Sequence, residues 1–151
     1  MALDVRFLKQ HELIVVSASG AMYLDDVIET ISRFARDPDF VWNHDRIVIL
    51  KNDVEFSELN AERLTDIMTA MKQSYLEGKE LDPSGQPAYR YAVVVGSTIN
   101  KVMMGLFGAV LESDKVSRVA LQKFDSVSDA LAWLGRENIP ESEFEEEMQD
   151  I

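Results

Sequence analysis

A chain of 151 residues with 46% hydrophobic and 28% charged side chains has the size and balance of one compact domain, and 27 acids against 15 bases leave it at −12. That charge repels phosphate backbones and anionic lipid headgroups, so nucleic acid is not an expected partner. With no cysteine present, disulfides, thiolate catalysis, iron–sulfur clusters and the usual zinc sites are excluded together.

The first residues, Met1 to Arg6, show no basic segment followed by an apolar run. No apolar stretch approaches the roughly 18 to 20 residues that cross a bilayer. A cytoplasmic protein without a transmembrane segment is the expectation. Leu3, Val5 and Phe7 alternate with Asp4 and Arg6, the period of an edge strand with one wet face. After a polar turn at Lys9 to Glu12, the β-branched run from Leu13 to Ala18 predicts a more buried strand, hairpin-paired with the first and closed by Gly20. Leu24, Val27, Ile28, Ile31 and Ala35 then recur at helical spacing, with Asp25 and Asp26 where the helix dipole favours anions and Asp37-Pro38 as the stop.

Ile47 to Leu50 has strand composition, and Leu64, Ile67, Met68, Met71 and Tyr75 share one face of a second helix capped by Asn60. Two glycines and two prolines between Gly78 and Pro87 predict a long flexible loop inside the domain. Tyr91 to Val95 is the most clearly buried strand, followed by a third helix from Ile99 to Glu112 and a last strand from Val119 to Phe124. Ser126 and Asp129 stand at capping-box spacing before a fourth helix carrying Val127, Ala130, Leu131 and Leu134. The order ββαβαβαβα predicts an α/β fold: a mixed, mostly parallel five-stranded sheet with four helices, only the first strand antiparallel. Residues 1–135 form this domain. Residues 136–151 form an acidic tail whose seven acids, all from Glu137 onward, leave −5 for residues 1–136.

Several local sequences accompany this order. Gly20 precedes the first helix and Asp37-Pro38 closes it; Arg90-Tyr91-Ala92-Val93-Val94 forms the central strand; Phe124, Ala130, Trp133 and Leu134 end the domain. The set resembles the STAS domains of anti-sigma-factor antagonists, the SpoIIAA-like fold, and in particular a bacterial single-domain branch related to lipid-binding CRAL-TRIO domains. The resemblance covers roughly residues 3–135. It implies the fold, and from the CRAL-TRIO relationship a capacity for lipid. Phospho-regulated antagonists carry an Asp-Ser-Ser/Thr-Gly turn after the third strand, whereas Asn52 to Leu59 here has one hydroxyl, Ser57, and no glycine. Phosphate on Ser57 would add about −1.5 to −2 charges among Asp53, Glu55 and Glu58, so a solvated loop serine is the stronger expectation there.

Enzyme chemistry is not specified. His11 and His44 have no partner at metal-ligand spacing, and His44-Asp45 before a strand is ordinary turn composition. Ser19 is a fragment of a nucleophile elbow, and Gly96-Ser97-Thr98 reads as a helix cap rather than a phosphate loop. No catalytic residue, metal or cofactor is expected.

The third helix offers a better lead. Val102, Met103, Leu106 and Val110 form an expected core stripe, while Met104, Phe107 and Leu111 continue the apolar surface past Asn100 and exceed what a two-layer core needs. Gly105 and Gly108 thin the helix and permit close packing. In the tail, Ser142 and Glu145 repeat the capping-box spacing. Phe144, Met148 and Ile151 fall at i, i+4 and i+7 of a short helix that needs a surface to dock on: its own domain, a second subunit or a basic partner. A disordered acidic tail is the alternative. The fourth helix or the tail is the alternative cover for the surplus face of the third helix. The expected function is therefore a non-enzymatic, STAS-like interaction module. It would contact a second copy of itself as a homodimer, or another protein, through Met104, Phe107, Leu111, Phe144 and Met148. The alternative is a lipid or other apolar small molecule held between the third helix and the sheet by Met103, Met104 and Phe107.

Overall fold

Short β-branched segments separated by amphipathic ones dictate a sheet with helical crossovers, and a computed structural model describes this for residues 2–56, 60–75, 89–113, 119–149 and 151. Strands β1 (Ala2–Leu8), β2 (Leu13–Ser19), β3 (Asp45–Leu50), β4 (Tyr89–Val95) and β5 (Val119–Phe124) lie side by side in chain order. Only β1 is antiparallel, with Val5 opposite Val16; the β2–β3, β3–β4 and β4–β5 pairs are parallel. A single turn of 3₁₀ helix, Lys9–His11, makes the hairpin, and Glu12 closes it in the left-handed region at φ 51°. The expected loop from Gly78 to Pro87 lies outside the described residues.

Helices α1 (Leu24–Phe34), α2 (Ala61–Tyr75) and α3 (Thr98–Ser113) each link two neighbouring parallel strands. Crossovers of one hand, stepping in one direction across the sheet, put all three on the same face. They pack on Ala18, Leu50, Tyr91, Val93 and Val95. The alternate residues of the same strands, Leu13, Val15, Ile47, Ile49, Ala92 and Val94, point to the opposite face.

That second face is covered by α4 (Val127–Trp133) and the tail. The Ser126 side chain caps α4 by accepting from the Asp129 amide at 3.1 Å. At the other end Gly135, at φ 70°, lets the Arg136 amide return to the Leu131 carbonyl at 2.9 Å, a Schellman-type stop. Asn60 caps α2 in the expected way, its side-chain oxygen accepting from the Arg63 amide at 2.9 Å. The molecule has three layers, so the expected two-layer core is corrected: α4 cannot shield α3, because the sheet stands between them. Among the described residues no helix is long and apolar enough to cross a membrane.

Candidate functional site: an apolar cavity beneath the helix layer

The first sheet face is floored by Val16 and Ala18 from β2 and Val48 and Leu50 from β3, three of them short or β-branched side chains that rise little above the pleat. Three helices bridge this floor. Val27, Ile31 and Phe34 of α1, Leu64 and Ile67 of α2, and Met104 and Phe107 of α3 form the roof, with Leu3, Met22, Phe56 and Tyr91 around the sides. Roof and floor do not meet, and they leave a cavity of about 130 Å³. Engineered apolar cavities near 150 Å³ stay dry and take up benzene. Of the fifteen lining residues only Tyr91 carries a hydrogen-bonding side chain.

Tyr91 joins the cavity to a buried cation. Arg46 is 1% exposed, and its guanidinium stacks 3.8 Å from the centroid of the Tyr89 ring, with the rings of Phe40 and Tyr91 within 6 Å. Its Nη1 donates to the carbonyls of Trp42, at 2.8 Å, and His44. Burial pushes the hydroxyl pKa values of both tyrosines up; at Tyr91 the adjacent guanidinium, which hydrogen-bonds the phenol oxygen, opposes the rise. Among the described residues, the one hydrogen-bonding side chain on the cavity wall is thus already engaged. Sequence reasoning missed Arg46 because the apolar run begins at Ile47. The signal available was strand period, which puts residue 46 in line with Val48 and Leu50.

The neighbouring residue turns to the other face and does something different. Asp45 accepts from the Arg90 amide at 2.8 Å, from Arg90 Nη2 at 2.9 Å and from Arg136 Nη1 at 2.8 Å. The two arginines also donate to the last carbonyls of α4: Arg90 to Trp133 and Leu134, Arg136 to Leu134. Arg136 further holds the carbonyls of His11, at 2.7 Å, and Glu12, which pins the left-handed corner of the hairpin. Desolvation lowers the pKa of His44; Glu12 and Asp45 oppose this, and Arg46 and Arg136 reinforce it. Both carboxylate oxygens of Asp45 are committed to Arg90 and Arg136, so Asp45 clasps β4 and the end of α4 together. Among the described residues no group of three or more His, Cys, Asp or Glu is placed to hold a metal ion.

The expected contact residues are redistributed. Met104 and Leu111 are buried, at 7% and 1% exposure, and Met103 and Phe107 are half-buried against the same core. Met104 and Phe107 line the cavity. The expected core residues Val102 and Leu106 are instead exposed, at 66% and 37%, together with Ile99. This reversal has a specific cause. Asn100 is 2% exposed and its Nδ2 donates to the Val54 carbonyl at 3.1 Å, so a satisfied buried amide turns its side of α3 inward.

Phe144 is fully buried and Met148 half-buried on the second sheet face of the same chain, which corrects the expectation of Phe144 as an anchor for a partner. The tail forms a 3₁₀ turn, Glu141–Phe144, and a short α5, Glu145–Met148, preceded by Pro140; Ser142 lies inside the turn, not at its cap. Arg6 holds the tail through Glu147, at 2.8 Å, and the Glu143 carbonyl, at 2.7 Å, and Lys51 reaches the Glu146 carbonyl at 3.2 Å. Ser57 lies outside the described residues.

Compared with known proteins, the sequence matches no protein-family model and no curated protein. The architecture stands on the structure alone: a helix-flanked, mixed five-stranded α/β sheet of the broad Rossmann-like kind.

Proposed function

We propose that this is a STAS-like binding domain whose ligand is a small, neutral, apolar molecule, or the apolar end of a longer one, seated between the helix layer and the sheet. The observation that supports it is the 130 Å³ cavity with a hydrocarbon and aromatic wall. A polar ligand would surrender its hydrogen bonds to water and find no free partner there, which penalises it by about 1–3 kcal/mol for each lost bond. An apolar ligand of benzene size would relieve the packing deficit instead. The sequence resemblance to the CRAL-TRIO-related branch of STAS domains favours the same reading.

The test is thermal unfolding of the full chain in the presence of benzene, indole or a short alkane. A ligand that binds only the native state raises Tm in proportion to ln(1 + [L]/Kd). The rise should vanish in Val48→Phe, which places a ring in the space. No shift with any of these probes, or an equal shift in Val48→Phe, overturns the reading.

A further inference from the structure

The outer side of α3 carries Ile99, Val102, Leu106 and Ala109, all exposed. Their spacing of three, four and three residues is that of the a and d positions of a heptad, so they form one straight apolar ridge about 15 Å long. Beside the ridge, Gly105 and Gly108 bring α3 close onto β5. A Cβ added at Gly108 would lie 3.4 Å from Leu121 Cδ2, and one at Gly105 3.3 Å from Lys123 Nζ. The missing side chains leave a groove of about 310 Å³ along the helix, floored by Leu121. We propose that this ridge and groove are where two copies of the chain meet, forming a homodimer across α3 and β5.

Charge selects the partner. In a chain of net charge −12, α3 from Thr98 to Leu111 has no acidic residue and one base, Lys101. The outer side of α1 carries Asp25, Asp26 and Glu29, and the tail carries seven acids. A basic partner is steered to those acidic surfaces, and a second acidic copy is repelled from them. Among the described residues the α3 side is poor in acids, its one exposed carboxylate nearby, Asp125, being paired with Lys101 at 2.8 Å, so two like-charged chains can approach there with little repulsion.

Shape selects the same partner. Ridge and groove lie next to each other on one element, which is what a self-complementary, two-fold interface requires: each copy offers the ridge and receives it. A two-fold axis running along the helices places the ridge of one copy against the groove of the other. The helix alone is too narrow to bury the roughly 600 Å² per partner of a stable pair. The groove and the outer edge of β5, the terminal strand of the sheet, extend the footprint. Phe107 lines the ligand cavity alone, whereas Met104 borders both the cavity and this groove; Val102 lines neither, so a test placed there separates the interface from the ligand reading.

The experiment measures the mass of the full chain by light scattering and native mass spectrometry, for wild type, Val102→Glu and two single-cysteine variants. The wild type is expected at twice its 17.1 kDa chain mass. Val102 is two-thirds exposed, so Val102→Glu should keep the far-ultraviolet dichroism of the wild type while weakening the dimer by roughly tenfold or more. Because the chain has no cysteine of its own, Val102→Cys, set beside its two-fold mate but facing the partner's groove, should be joined to it by a flexible bis-maleimide linker while Asp25→Cys is not. A monomeric wild type, a dimer undisturbed by Val102→Glu, or cross-linking at residue 25 and not at 102 overturns the proposal. Should Val102→Glu unfold, the cysteine pair decides alone.

Discussion

The two faces of one sheet are packed to different standards, although the same strands supply both. On the face covered by α4 and the tail, Leu13, Ile47 and Ala92 meet Val127, Ala130, Leu131, Leu134, Ile139 and Phe144, every one of them at 2% exposure or less. On the face covered by α1, α2 and α3, Ile28, Phe34, Met103, Phe107 and Val110 remain partly buried, and a cavity lies under them. The apolar core beneath α4 is close-packed, and the groove of about 510 Å³ between the tail and β1, bordered by Arg6, Val15, Ser17 and Glu147, is mainly polar; the face under the three longer helices instead encloses the apolar cavity. The reason is geometric. Arg90 and Arg136 clamp the end of α4 and Arg6 and Lys51 tie down the tail, so this cover is fastened to the sheet by side chains, whereas three rigid rods over a floor of Val, Ala and Leu do not reach every point of it. Tight packing marks the face that holds the fold together, and the loose face is the one with room for a ligand.

The strongest way to break this contrast is on the sealed side. Phe144→Ala should cost roughly 3–5 kcal/mol in denaturant unfolding, because no neighbouring side chain is free to refill the space. A much smaller loss would show that the tail is a dispensable cover. Val15 and Val16 sharpen the comparison further, since they are adjacent, of one type, and point to opposite faces. Val15→Leu adds a methylene between the core beneath α4 and the mainly polar groove beside the tail, and should cost about 1 kcal/mol. Val16→Leu extends into the cavity and should be neutral or stabilising by roughly 0.5–2 kcal/mol. Equal penalties for the two would remove the distinction between the faces.

Smaller effects are expected at the polar fastenings. Arg6→Ala releases the contacts to Glu147 and the Glu143 carbonyl at a partly exposed site, and should lower stability by about 1 kcal/mol. Limited proteolysis should show cleavage in residues 137–151 appearing earlier in that variant. The smallest effect is at His44, whose native pKa is held below the usual 6.5 chiefly by burial. The unfolded chain takes up this proton first as the pH falls, so the histidine withdraws stability from about pH 6.5 down to its lowered native value and has no effect above. His44→Gln should therefore flatten the decline of Tm between about pH 7 and pH 5.5. An unchanged slope would show that the imidazole is solvated in the native state.

Much of the scaffold was legible in the chain. Period-two strands, period-three-to-four helices and the caps at Asn60 and Ser126 gave the element order, and hairpin spacing against crossover length made β1 antiparallel and the rest parallel. The site was less legible. Val16, Ala18 and Val48 look like any strand residues, and nothing local reveals that their volumes fall short of the helices above them. Arg46 was hidden because an arginine beside an apolar run reads as a strand terminus until three aromatic rings from distant segments close around it.

What the sequence determined by itself is what neighbours within a few residues fix: the order and type of the five strands and four main helices, the caps at Asn60 and Ser126, and that the tail has one apolar side. The early starts of β3 at Asp45 and β4 at Tyr89 and the true start of the tail's turn were not among them. Tertiary structure alone decided how α3 is rotated and which face the tail covers. A helix apolar almost all the way round has no preferred side by periodicity, so the choice fell to one buried amide, Asn100, and to a carbonyl at Val54 some forty-six residues earlier that only the folded chain brings within reach.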